Sequence, residues 1–242
     1  MYFQMKATDN EVAEIHIDGE IVSEKLWDSD VSATDFRDSL KELGPVKTIN
    51  MSINSPGGSV FDGIAIYNML KKNPATVNVT VEGLAASIAS VIAMAGDTLT
   101  MDTGSMLMIH NPFTMAVGNA SELREMADTL DQIRESSVNI YHEKTGIDKE
   151  AIKSVMDNET WLTADEAITA GWADQKNERP AVMQSISQRY SDMYEHVPEF
   201  LNAQEKPDKE QSEGMSMEER KQRAEAIQDY IDSAEAYLKE IK

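Results

Sequence analysis

The 242-residue chain contains no cysteine, which excludes disulfides, thiolate metal sites and a cysteine nucleophile. It has no apolar run long enough to span a bilayer, and its N-terminus does not read as a secretion signal. Positive charge is scarce: 22 Lys and Arg stand against 43 Asp and Glu, a formal charge of −21. Such a surface repels phosphate backbones and anionic membranes, so neither nucleic acid nor a membrane is an expected partner. There are no internal repeats. The 41% hydrophobic content, over this length, supports one sizeable domain plus an appendage.

Strand-like and helix-like segments alternate, which points to an α/β domain. Val12 to Ile17 and Val46 to Ile53 read as strands, with Ser32-x-x-Asp35 opening a helix between them. Val60 to Lys72 spaces Ile64, Ile66, Met69 and Leu70 as a helix does, and Asn73-Pro74 ends it. Thr76 to Val81 alternates as a strand, and Leu99 to Met101 and Met106 to Ile109 read as two short ones. Ser121 to His142 is a long helical stretch, and Thr163-x-x-Glu166 is a capping box for a helix closing at Gly171. Past about Pro180 the composition shifts. Residues 181–216 read as an extension and flexible linker, and residues 217–242 as a charged helix. Met1-Tyr2-Phe3-Gln4 looks like the remnant of a protease-cleavable expression tag and is set outside the fold.

Three short segments carry chemistry: Asn54-Ser55-Pro56-Gly57-Gly58, Gly83-Leu84-Ala85-Ala86-Ser87-Ile88, and Met108-Ile109-His110-Asn111-Pro112. A serine hydroxyl is a poor nucleophile unless an imidazole can take its proton, and its acyl-transfer chemistry needs backbone N–H donors aimed at the developing oxyanion. Small residues before Ser87 suit a tight turn into a helix, whose N-terminus favours negative charge. Ser87 then reads as nucleophile, His110 as base, and an N–H from Gly57-Gly58 together with that of Ile88 as oxyanion donors. Taken singly, each has a plainer reading: Ser87 as a helix cap, His110 as a histidine at a strand end, Asp157 and Glu159 as solvated helix-end charges. His16, His142 and His196 read as structural or exposed.

These segments, in this order, resemble the proteolytic subunit of the Clp protease and its phage relatives, the Clp-like prohead proteases. The resemblance runs from about Val12 to Asp174 and includes Trp161-Leu162-Thr163-Ala164-x-Glu166-Ala167 followed by Gly171. It implies a crotonase-like spiral of ββα units, and places Ser87, His110, Gly58 and Ile88 on the family's nucleophile, base and oxyanion donors. The family's aspartate position falls on Glu159, with Asp157 as the fallback. The resemblance further implies serine endopeptidase activity on protein or peptide substrates, without a metal or organic cofactor. It also implies a ring-like homo-oligomer, with the long helix projecting between rings. Only about ten residues precede Val12, where the family carries a segment contacting an unfoldase ATPase. An ATPase partner is therefore not expected. The short start and charged C-terminal extension match the phage branch, which implies capsid or scaffold processing in the bacterial host cytoplasm or the prohead. Three other readings stay open: an ATPase-fed housekeeping Clp peptidase, a serine–lysine peptidase of the signal-peptide-peptidase type, and a crotonase-like acyl-CoA enzyme or inactive assembly protein.

Overall fold

The computed structural model describes residues 3–7, 11–25, 30–180, 190, 192–198 and 201. Strand β1 (Phe3–Ala7) lies antiparallel to β2 (Val12–Ile21), so Phe3 and Gln4, expected outside the fold, are paired with Ile17 and His16. The chain then forms α1 (Ala33–Leu43), β3 (Thr48–Gly58), α2 (Val60–Lys72), β4 (Thr76–Ala86), α3 (Ile88–Ala93), β5 (Thr98–Thr103) and β6 (Met106–Ile109). There follow α4 (Ala120–Thr145), α5 (Lys149–Asp157), β7 (Thr160–Thr163), α6 (Ala164–Thr169) and β8 (Gln175–Pro180). This is the expected α/β architecture. Of the stretch expected as extension and linker, 181–216, residues 190, 192–198 and 201 are described; its remainder and the charged helix expected over 217–242 lie outside the described residues.

Local chemistry sets the helix ends. The Ser32 hydroxyl accepts from the Asp35 N–H at 3.1 Å, and Thr163 with Glu166 closes a reciprocal capping box. The long helix α4 starts in the same way, on Asn119 and Glu122, and ends at Gly146 with a left-handed φ of 71°.

The strands β1-β2-β3-β4-β5-β8 form one sheet, parallel from β2 onward, in that spatial order. Strand β4 changes partner part-way along. Its first half, Asn78 to Val81, pairs with β5, while its last residues, Leu84 to Ala86, pair in parallel with β6. Strand β6 is paired in turn, antiparallel, with β7. The core forms where β3 and β4, with Ile49, Met51, Ile53, Val79 and Val81, meet α3, whose six residues are all buried, and Ile15 and Ile17 of β2 belong to the same cluster. Each such aliphatic side chain stabilises by about 1.5–3 kcal/mol. Gly63 lets α2 close on α3, since a Cβ there would stand 2.1 Å from Ile88 Cγ1. Along the alternate positions of β2, β3 and β4 runs a polar ladder, in which Asn50 donates to Glu14 at 2.9 Å and accepts from Asn78 at 3.1 Å. Among the described residues, no helix is long and apolar enough to cross a membrane.

Candidate active site

Strand β4 ends at Ala86 and α3 begins at Ile88, leaving Ser87 to make the turn alone with φ 55° and ψ −127°. A non-glycine residue held there costs about 1–3 kcal/mol and persists only when its surroundings fix it. Three contacts do so. The Ser87 N–H donates to the Met108 carbonyl at 3.0 Å, the Ser90 hydroxyl donates to the Ser87 carbonyl at 2.5 Å, and the buried Tyr141 hydroxyl reaches Ser90 Oγ at 2.8 Å. Because Ser90 gives its proton to Ser87, Tyr141 is the donor in the last of these. Burial pushes the Tyr141 phenol up, so it stays a neutral donor.

The pairing of β4 with β6 brings the base to the nucleophile. Ala86 lies opposite Met108, so the residues just beyond the two strand ends share one rim of the sheet. His110 Nε2 lies 2.7 Å from Ser87 Oγ. Burial pushes the His110 imidazole down to about 4, while the nearby Glu159 carboxylate pulls it up. At neutral pH the ring is therefore uncharged and can accept the Ser87 proton.

Gly57 and Gly58 have φ of 100° and 138°, conformations that L side chains rarely adopt. A Cβ on Gly58 would meet the Ile21 carbonyl oxygen at 2.0 Å. Ile88 is the first residue of α3, where a backbone N–H has no acceptor within its own helix. Both residues adjoin Ser87, at the rim of a cleft of about 650 Å³ for Gly58 and directly after the serine for Ile88. The rest of that cleft is mainly apolar, with walls from Val22, Val60, Phe113, Met115, Tyr190 and Met193.

The carboxylates are arranged differently from expectation. Asp157, the fallback for the third member, is turned away: its Oδ1 accepts from Arg134 Nη2 at 2.8 Å and from Asn111 Nδ2 at 2.9 Å, and its side chain is 54% exposed. Glu159 is buried, in a left-handed turn with φ 42°. Its carboxylate accepts from Trp161 Nε1 at 3.2 Å and from the N–H groups of Glu195 at 2.8 Å and His196 at 2.7 Å. None of these bonds goes to His110, so Glu159 acts on the imidazole through charge rather than by holding its ring N–H. Ser87 and Glu159 are the two non-glycine residues with positive φ among those described.

The Clp protease family model matches residues 29–179. The chain belongs to the Clp protease family. It is 36% identical over 139 residues to ATP-dependent Clp protease proteolytic subunit 1 of Protochlamydia amoebophila, covering 56% of this chain and 68% of that one. With the subunit 1 of Chlamydia abortus it shares 35% over 147 residues, 57% and 77% of the two chains. The proteolytic subunit of Deinococcus radiodurans is 33% identical over 138 residues, 56% and 68%. Membership of this family makes the chain a Clp-type serine protease, a hydrolase of peptide bonds.

The structure also gathers residues at this Clp site that the sequence did not single out. Tyr194 sets its ring edge-on to His110, with centroids 5.3 Å apart, and donates its hydroxyl to the Pro56 carbonyl at 2.5 Å. The signal available was an aromatic pair four residues apart, Tyr190 and Tyr194, in a stretch whose polar neighbours pointed to a linker. Of the other histidines, His16 bonds Ser52 Oγ at 2.6 Å, and His142 Nδ1 donates to the Ile147 carbonyl at 2.7 Å. His196 reaches the site only through its backbone.

Proposed function

We propose that this chain is a serine endopeptidase in which Ser87 attacks the substrate carbonyl, His110 takes and returns the proton, and the N–H groups of Gly58 and Ile88 hold the oxyanion. The observation that carries this is the 2.7 Å contact between Ser87 Oγ and the neutral His110 Nε2, made on a strained turn. Glu159 offsets the positive charge that His110 acquires as it accepts the proton. The Ser–Lys alternative lacks its base, since no lysine lines the cleft among the described residues. An apolar-walled cleft suits a peptide with an apolar side chain next to the scissile bond.

The working form is a homo-oligomeric ring. In support, the N-terminal half of α4 is exposed, with Leu123 and Met126 in water, and the preceding loop exposes Phe113, Met115 and Val117. A monomer would leave that apolar surface solvated. The proposed substrates are capsid or scaffold proteins of a phage head. What supports this branch is the acid-rich stretch 180–242, which lies past the family match. A second reading, ATP-dependent degradation fed by an unfoldase, is favoured by the names of the relatives.

Incubation of the full chain with a phage scaffold protein, without ATP, is expected to give discrete fragments, and the Ser87→Ala variant none. Breakdown to short peptides only when a Clp-type unfoldase and ATP are added would transfer the assignment to the second reading.

A further inference from the structure

The family match ends at residue 179, yet the described residues 190, 192–198 and 201 stand against the site. Tyr190, Tyr194 and Leu201 are 5%, 6% and 3% exposed, packed with Leu84, Ala86, Met106 and Met108 from the ends of β4 and β6. These two strand ends deliver Ser87 and His110. We propose that this segment is a built part of the active site and that Tyr194 is a positioning residue for the Ser87–His110 pair. The inference rests on the serine peptidase reading of that pair.

Three separate contacts from the segment converge there. The Tyr194 ring covers His110 edge-on, at an interplanar angle of 87°, so it fixes the imidazole plane and keeps water off it. Its hydroxyl lies beside Ser87 and donates to the Pro56 carbonyl, which ties down the loop leading into Gly57 and Gly58. One and two residues on, the N–H groups of Glu195 and His196 donate to both oxygens of the Glu159 carboxylate and hold its charge near His110. The ring is itself held, since Trp161 and Tyr190 pack on it at centroid distances of 5.9 and 5.7 Å.

The segment is a wall of the cleft rather than a plug. Ser87 and His110 both line the open space that Tyr190, Met193 and Tyr194 bound on one side, and the Ser87–His110 bond is made with the segment in place. The titratable groups facing His110 are Glu159, from the turn ahead of β7, and Tyr194, while Glu20 at the end of β2 faces Tyr194. Burial holds the Tyr194 phenol above its usual range, so it stays neutral wherever His110 titrates.

The test compares the full chain with Tyr194→Phe and Tyr194→Ala, reading the His110 titration by NMR, the rate of fluorophosphonate labelling per folded molecule, and Tm. Tyr194→Ala is expected to let water reach the imidazole and to move its midpoint up from about 4 toward the usual 6.5, by roughly one unit or more. Tyr194→Phe keeps the ring and hence the midpoint, but loses the hydroxyl, and labelling slows about tenfold. A merely structural role would lower Tm in both variants and leave midpoint and labelling rate at their wild-type values. That result would overturn the proposal, as would faster labelling in either variant, which would make the segment an inhibitor. Because the His110 midpoint does not depend on what Ser87 attacks, the peptidase reading fails separately, by labelling that survives Ser87→Ala.

Discussion

Replacing His110 with Ala lowers kcat at least about a thousandfold while leaving the fold intact, because nucleophile and base act as a unit. The ring packs at the rim of the sheet rather than inside the main apolar core, so its loss leaves the strands paired. Tyr194 is held neutral by burial, and no lysine lines the cleft among the described residues. The pH profile of kcat/KM carries the same information. Burial pushes the His110 pKa down to about 4, so the wild-type enzyme keeps its base unprotonated from neutral pH down to that value and loses activity below it. The residual activity of the Ala variant should lack that acid limb. Glu159→Gln is expected to cost less, roughly thirtyfold, since a carboxylate that acts through charge alone contributes about 2 kcal/mol. An unchanged kcat in His110→Ala would remove His110 from the mechanism.

Gly57→Ala should be nearly as damaging, by a different route. Its φ of 100° already disfavours an L side chain, and the added Cβ would stand 2.7 Å from Ser87 Cβ, 2.8 Å from the Ala86 carbonyl oxygen and 3.3 Å from Ser87 Oγ. The methyl can be accommodated only by moving the oxyanion loop or the nucleophile. Misplacing one oxyanion donor costs about a hundredfold or more in kcat, and the backbone strain lowers stability by about 1–3 kcal/mol. Gly58→Ala meets the Ile21 carbonyl oxygen at 2.0 Å instead, so it separates β3 from β2 and should lower Tm more than Gly57→Ala does. Parallel measurement of kcat and Tm in both variants checks this. A Gly57→Ala enzyme with wild-type kcat would show that the loop does not approach the reacting carbonyl.

The elements that local chemistry specifies were legible in the sequence. Helix α2 occupies Val60–Lys72, the span its apolar spacing predicts, and the caps at Ser32 and Thr163 follow from side chains bonding to backbone within three residues. Ser87 and His110 stand together as their motif order implied. What could not be read depended on partners distant in the chain. Strand β4 runs past Val81 to Ala86 because it leaves β5 and takes up β6, and β2 continues to Ile21 through an irregularity at Gly19 that lets it follow β3. Strand β8, Gln-Lys-Asn-Glu-Arg-Pro, has no apolar alternation and is a strand only because β5 offers it an edge. The resemblance places Glu159 on the family's aspartate, the residue that orients the imidazole. Its two carboxylate oxygens are instead taken by N–H groups 36 and 37 residues further on, which no local pattern could have revealed.

The measurement that bears most directly on this account is intact-mass analysis of the full chain after treatment with a fluorophosphonate, run beside Ser87→Ala. One adduct per chain is expected on the wild-type protein and none on the variant, because His110 Nε2 at 2.7 Å makes Ser87 the activated hydroxyl. An unlabelled wild-type chain, or an adduct that persists in Ser87→Ala, would contradict it.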